Sequence, residues 1–335
     1  MLGQASVGRT GSGLLLIIAA GLLYVASRLA VFALARGDGS NPGRRALGQW
    51  LPVAACALAA IFMGRADVAV SVIFGTSVAF LSLVLGLATY LAPMESLPAS
   101  RKSWPFILPA ALLALLAGFS GHLAWWHALM LLALGGAVLA VWLESPEMSD
   151  PHAPRSPAGL IAVLAPLAVA LAGYGAYQAV RGTLASSGNS HLLSPGSVAA
   201  TILSPLLVLP TLGNASALSQ RGHTGRAVSA LVGSVLLNLC LLLPACVLLW
   251  YLHEAHWKLG FSTFADFRAP WESAHALPYP MAAWRVQTVI LLVLGLALVP
   301  VSMGRWLFGR FESAALVLGY AAFLITLAVY GMELV

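Results

Sequence analysis

Charge is what this sequence has least of. Of its 335 residues, 8% are Asp, Glu, Lys or Arg and 60% are hydrophobic, with a mean hydropathy of +0.90. A soluble domain carries about 25% charged residues. A globule of this size buries only about three quarters of its surface, too little to hide so much apolar area, so the solvent must be lipid. Cysteine is scarce too: Cys56, Cys240 and Cys246 all fall inside apolar runs, which excludes a disulfide framework or a metal knot. No phosphate loop, nucleophile elbow or catalytic triad is present, so the chain does not read as an enzyme and no cofactor is expected. The net charge of +6 comes from basic residues scattered singly through short loops, which is not a nucleic-acid footprint.

What is present is a series of long, continuous apolar runs that do not alternate. In lipid every backbone group must be satisfied internally, and runs of this kind do so as helices rather than as a barrel. Ten spans of bilayer length are expected, near 12–36, 46–63, 67–92, 104–120, 122–143, 158–181, 194–219, 225–252, 281–304 and 311–331. The first is too long for a signal-peptide core and contains Arg28, so it is kept as a span. Arg28 reads equally as a functional intramembrane charge and as a snorkelling one.

Arg36, Arg44, Arg45, Arg101, Lys102, Arg155, Arg221, Arg226, Arg305 and Arg310 fall on one set of loops. Arg9, Arg65, Arg181, Lys258, Arg268 and Arg285 fall on the other. The positive-inside rule puts the first set in the cytoplasm and both termini outside, as expected of a multi-pass protein of the plasma (inner) membrane. The linker SPEMSDPHAPRSP (145–157) divides the chain into halves 1–144 and 158–335 of five helices each. An odd number of spans per half inverts the second. The expected fold is therefore all-α integral membrane, about ten transmembrane helices in two inverted-topology five-helix repeats.

A repeat supports the division. GRADVAVSVIFGTS (64–77) returns as GHTGRAVSALVGSV (222–235), each residue 158 positions after its mate. Leftward, Leu51-Pro52 matches Leu209-Pro210, and Ala57, Ala59 and Gly64 match Ala215, Ala217 and Gly222. Rightward, Gly75 matches Gly233, Thr76 matches Ser234, and Leu81 and Leu83 match Leu239 and Leu241. The match is gapless and includes a proline and two glycines, more than a shared Ala/Leu bias supplies. Inverted repeats are a transporter signature, with substrate near the midplane where interrupted helices meet. Pro52 and Pro210 are expected to break the second and seventh helices. Gly75 and Gly233 are expected to allow a break or close approach in the third and eighth.

These stretches resemble the α-repeats of the cation/Ca²⁺ exchanger superfamily, in which G-T-S-L-P-E is followed by G-N-P-D-x-A-x-G-N-x-x-G-S-N-x-x-N. GQWLPV (48–53) and LLVLPT (206–211) occupy the first motif; 64–80 and 222–238 occupy the second. The resemblance implies a ten-helix secondary transporter exchanging cations across a lipid bilayer by alternating access. It also exposes departures. The motif glutamates, central ion ligands in the family, are Val53 and Thr211 here. The neighbouring Thr and Ser are Gln49-Trp50 and Leu207-Val208. The G-N pair is Ser71-Val72 and Ser229-Ala230, and the last Asn survives only as Asn238, opposite Phe80.

The candidate ion pathway is therefore Thr211, Asn214, Asn238, Ser71, Ser77, Ser229 and Ser234, with Asp67 as a helix cap or an ion-entry group. Asn214 and Ser216 serve equally as interhelical glue. The set carries no formal negative charge, whereas Ca²⁺ wants six to eight oxygens including carboxylates. The substrate is therefore monovalent or unidentified, with monovalent and divalent cations both kept as candidate partners. A degenerate, non-transporting homologue acting as a scaffold or partner subunit is the alternative. Oligomeric state is not read from the sequence.

The outward loop 253–280 opens with HEAH, in which His253 and His256 could face a metal, though no fuller zinc spacing follows. Its Trp257, Phe261, Phe264, Phe267, Trp271 and Tyr279 are expected at the membrane interface, as are Trp125 and Trp126.

Overall fold

The computed structural model describes residues 42–94, 99–144, 195–254, 271–272 and 274–330, together with Val25, Gly175 and Gln178. Among these residues all the regular structure is helical. The apolar runs form eight helices long enough to cross a bilayer: α1 (Pro42–Phe62), α2 (Ala66–Leu91), α3 (Ile107–Phe119, led by a 3₁₀ stretch Ala99–Phe106), α4 (Trp125–Glu144), α5 (Gly196–Gln220), α6 (Thr224–Glu254), α7 (Met281–Ser302) and α8 (Arg310–Tyr330). The expected spans at 12–36 and 158–181, with Arg28, lie outside the described residues, except that Val25, Gly175 and Gln178 are helical.

Burial separates the helices into an inner and an outer set. The spans of α2 and α6 are 94% and 83% buried, whereas those of α4 and α8 are 22% buried. The outer helices turn Leu129, Met130, Leu318 and Ile325 outward, as lipid-facing helices must.

The sequence repeat is a repeat of local structure. At the end of α1 the Arg65 amide donates to the Ala60 carbonyl (2.8 Å) and the Gly64 amide to the Ile61 carbonyl (2.9 Å). At the end of α5 the same two bonds run from His223 to Leu218 (2.9 Å) and from Gly222 to Ser219 (2.9 Å). This is the Schellman turn, which needs a left-handed residue at its corner. Gly64 (φ 70°) and Gly222 (φ 78°) supply it. The helix that follows runs as α from Ala66 to Ala79 in one copy and from Thr224 to Leu237 in the other. Each then passes through a π turn, Phe80–Val84 and Asn238–Leu242. Every one of these bounds is displaced by 158.

Packing between the copies is reciprocal. A Cβ built on Gly75 of α2 would lie 2.4 Å from Ser204 Oγ of α5, and one built on Gly233 of α6 would lie 2.8 Å from Ala46 Cβ of α1. Ala46 and Ser204 are themselves mates at the 158-residue spacing. At larger scale, α1 packs on the first part of α6 and α5 on the first part of α2. The last part of α2 meets α8, the last part of α6 meets α4, and α3 pairs with α7. A contact between residue i and the mate of j, matched by one between j and the mate of i, is the pattern of a two-fold, self-complementary interface.

The proline and glycine breaks do not occur where expected. Pro52 lies inside an unbroken α1 and Pro210 inside an unbroken α-helical stretch, Ser204–Gln220. Gly75 and Gly233 are likewise in continuous α-helix. One proline removes one ladder donor, and the surrounding turns carry the helix through. The irregularities are the π turns, which begin five residues after each glycine. A third, Ala199–Leu203, ends two residues before Pro205, whose ring cannot sit against the carbonyl of Thr201 in a regular α turn. Gly75 and Gly233 serve close helix approach instead.

Candidate functional site

The two inner helices meet at Asn238, the first residue of the α6 π turn. Its side chain is fully buried, and its Nδ2 donates to Ser77 Oγ (3.0 Å) and Thr76 Oγ1 (3.2 Å) on α2. Both hydroxyl protons are already used: Thr76 donates to the Val72 carbonyl (2.7 Å) and Ser77 to the Ile73 carbonyl (2.7 Å). These hydroxyls can therefore only accept from Asn238, which fixes the amide's orientation and turns Oδ1 the other way. Among the described residues no donor reaches Oδ1. A buried polar atom left unmade costs about 1–3 kcal/mol.

A second polar contact joins α6 to α1. Ser234 Oγ shares its proton among the Ala230 carbonyl (2.9 Å), the Ala46 carbonyl (3.2 Å) and Gln49 Oε1 (3.4 Å). A third joins α2 to α7. Tyr279 donates to Gln287 Oε1 (2.9 Å), so the Ser71 hydroxyl, 3.3 Å from Tyr279 Oη, is the donor of that pair.

Of the pathway residues expected from sequence, the structure thus brings Ser77 to Asn238, and places Ser234 and Ser71 in neighbouring contacts. Ser229 bonds to the Gly225 carbonyl of its own helix (2.9 Å). Thr211 is buried and Asn214 half-buried on α5. Asp67 caps no amide with its side chain. It takes two hydrogen bonds from Arg65, Nε at 3.0 Å and Nη2 at 2.7 Å, in a pair about a third exposed. It stands nine residues, about 13 Å of helix rise, before Thr76. Exposed pairs are worth about 0–1 kcal/mol, so Asp67→Asn should shift the thermal midpoint of the purified protein only slightly.

Four polar partners escaped the sequence reading as site residues: Thr76, Gln49, Gln287 and Tyr279. Thr76 was signalled by its mate Ser234. Tyr279 corrects an expectation: it is 8% exposed, inside the protein rather than in an interfacial belt. Trp271 stacks on Tyr251 and lies against Trp125; the aromatics at 257–267 lie outside the described residues. Glu254 approaches His253 and His275 at 3.8 and 3.7 Å, but no group of three metal-ligating side chains forms among the described residues.

The electrostatics of the centre are set by what is missing. Val53 and Thr211, at the positions of the motif glutamates, are 0% and 2% exposed. Among the described residues every acid stands at a helix end or in a connection: Asp67, Glu144, Glu254, Glu272 and Glu312. The central site is an amide and hydroxyls with no carboxylate.

A family model described as sodium/calcium exchanger protein matches residues 45–143 and 160–329. The structure is similar to that of the sodium-calcium exchanger NCX_Mj soaked with Na⁺ and Sr²⁺, at 18% identity and TM-score 0.60, over 94% of this chain and 97% of that one. It is also similar to that of the H⁺/Ca²⁺ exchanger CAX, at 16% identity and TM-score 0.68, over 98% of this chain and 86% of that one. No curated protein matches the sequence.

Proposed function

Because this chain belongs to the sodium/calcium exchanger family, an integral membrane family of cation exchangers, we propose that it is a secondary transporter whose central site takes a monovalent cation in place of Ca²⁺. Halves 1–144 and 158–335, joined by the linker 145–157, rock about α1, α2, α5 and α6. The second half is inverted and both termini face outward across the plasma (inner) membrane. The reciprocal packing supports the inversion: α5 begins beside the start of α2, with Gly196 against Ser71, whereas its mate α1 begins beside α6, with Ala46 against Gly233. In this reading the full protein has ten spans.

The observation that carries the substrate class is the Asn238 Oδ1 acceptor, buried, without a donor among the described residues, and beside the Thr76 and Ser77 hydroxyls. An exchanger that keeps neutral oxygens but no carboxylate has coordination for a singly charged ion. Ser71, Ser229, Ser234, Thr211 and Asn214 are the remaining polar positions of the pathway, and Asp67 belongs to its entrance.

The test is gradient-driven uptake into proteoliposomes, run in parallel for Na⁺, K⁺, Rb⁺ and ⁴⁵Ca²⁺ against protein-free vesicles. One of the monovalent ions should accumulate and ⁴⁵Ca²⁺ should not. Asn238→Leu, which keeps the volume and removes the acceptor, should lower the monovalent flux to the protein-free level. Uptake of ⁴⁵Ca²⁺ would overturn the neutral-site argument.

A second reading rests on a specific observation. Most central polar groups already bond to their own backbone, as Thr76, Ser77, Ser229 and Ser234 do, which is how interhelical glue behaves. Absence of flux for every ion would favour the non-transporting scaffold or partner subunit.

A further inference from the structure

The polar centre has a cover on one side that the repeat does not duplicate. In the first half α2 ends at Leu91 and the next helix begins at Ile107, with a 3₁₀ stretch between. In the second half α6 ends at Glu254 and α7 begins only at Met281. The described end of that longer connection, 274–280, contains no helix and reads AHALPYP. Pro278 and Pro280 flank Tyr279, so its neighbours have fixed φ and no N–H to donate. The segment is a stiff strap tied down at several points: the Trp250 Nε1 donates to the His275 carbonyl (3.2 Å), the Trp284 amide donates to the Pro280 carbonyl (3.1 Å), Glu254 approaches His275 (3.7 Å), Leu277 is buried, and Tyr279 makes its two hydroxyl contacts.

The ring of Tyr279 is seated edge-on against Trp284 (6.0 Å between centroids), which in turn stands edge-on against Phe74 of α2 (4.7 Å). Trp284 is locked by donation to the Ala114 carbonyl (2.6 Å). The Tyr279 phenol therefore bridges two helices, α2 through Ser71 and α7 through Gln287, from a segment belonging to neither. Ser71 lies where the start of α5 presses on α2: a Cβ on Gly196 would be 2.8 Å from Ser71 Oγ. One turn further along α5, Ala200 faces Gly75, its Cα 3.2 Å from the ideal Gly75 Cβ. The seam between α2 and α5 thus runs inward from Ser71, and Tyr279 sits at its outer end.

We propose that Tyr279 is a gate residue: latched to Ser71 and Gln287 it closes the α2–α5 seam on the side of the 274–280 strap, and its release opens the seam toward the polar centre. That this opening serves ion passage rests on the transporter reading; the opening itself does not. Burial pushes the phenol up to about 12, so the latch is a neutral hydroxyl throughout the working pH range.

The experiment reads access rather than transport. Ala200→Cys is introduced into the full chain, reconstituted in nanodiscs so that both faces are reachable, and labelled with a charged, membrane-impermeant maleimide. The native Cys56, Cys240 and Cys246 are buried and set the background. Tyr279→Phe keeps the ring and removes the hydroxyl, and should speed labelling of the Ala200→Cys thiol by about tenfold, the effect of losing two buried hydrogen bonds. Tyr279→Ala should speed it further. In both variants the native thiols should remain unlabelled, which separates gate opening from general loosening. An unchanged rate in both variants, or faster labelling only together with the native thiols, would overturn the gate. Faster labelling in a protein that moves no ion would uphold the gate and remove the transporter reading.

Discussion

Gly233→Ala will cost more stability than Gly75→Ala, and each loss will be recovered by a second substitution in the other half of the chain. Both glycines lie inside α-helices, where alanine is ordinarily favoured by about 1 kcal/mol, so without the contact both changes would stabilise. The contact reverses the sign. A Cβ at 233 meets the Ala46 methyl at 2.8 Å and the Trp142 ring at 3.2 Å, and neither can rotate away. A Cβ at 75 meets Ser204 Oγ at 2.4 Å, but that hydroxyl can swing to another rotamer, leaving Ser204 Cβ at 3.0 Å and the Ala200 Cα at 3.2 Å. Overpacking costs about 1–3 kcal/mol; Gly233→Ala belongs at the upper end and Gly75→Ala at the lower. Ala46→Gly should rescue the first and Ser204→Gly the second, whereas the crossed pairs should add independently. Thermal midpoints of the four singles and four doubles in detergent form the double-mutant cycles. Equal recovery in the crossed pairs would refute the reciprocal packing.

Val53→Glu will sharply lower the yield and midpoint of the folded protein, and Thr211→Glu will do so almost as strongly. Each puts a carboxylate at a position of the family motif, but in surroundings that have lost its partners. Val53 is 0% exposed, the neighbouring motif hydroxyls have become Gln49 and Trp50, and no acid or base lies beside it in the sequence. An uncompensated buried charge costs about 3–5 kcal/mol in a protein interior. The double variant has a carboxylate at both positions of the family motif, and Ca²⁺ is held by carboxylate oxygens. Its midpoint should rise when Ca²⁺ is added, as ligand binding to the native state requires, and that of the parent protein should not. A parent midpoint that climbs with Ca²⁺ would mean that the neutral centre binds the ion after all.

The helical plan was legible because it rests on length and hydropathy: α1 was expected at 46–63 and found at Pro42–Phe62, α7 at 281–304 and found at Met281–Ser302. The 158-residue repeat was legible because a Schellman corner demands glycine, so Gly64 and Gly222 keep their register. The π turns were not. They change which carbonyl an amide reaches without demanding a residue type, and Phe80 and Asn238 begin equivalent turns with unrelated side chains. Prolines 52 and 210 misled because a helix can lose one donor and continue. Ser77 and Asn238 were singled out through the family motif, and the fold puts them in hydrogen-bond contact. Tyr279 was not, because its aromatic neighbours in sequence suggested a membrane belt, and only the fold brings it to Ser71, 208 residues away.

The matched corners at Gly64 and Gly222 bear on how such a chain is laid into the bilayer. Each helical hairpin closes its own turn with its own amides and carbonyls. The backbone of that turn does not distinguish one leaflet from the other. The same hairpin design is therefore usable either way up, and the choice falls to the basic residues in the flanking loops. Arg36, Arg44 and Arg45 come before the first hairpin, whose corner carries Arg65 paired with Asp67; Arg221 sits on the corner of the second and Arg226 in the first turn after it. If the two copies face opposite ways, as the transporter reading holds, it is the arginines of the flanking loops rather than the corners that set their orientation.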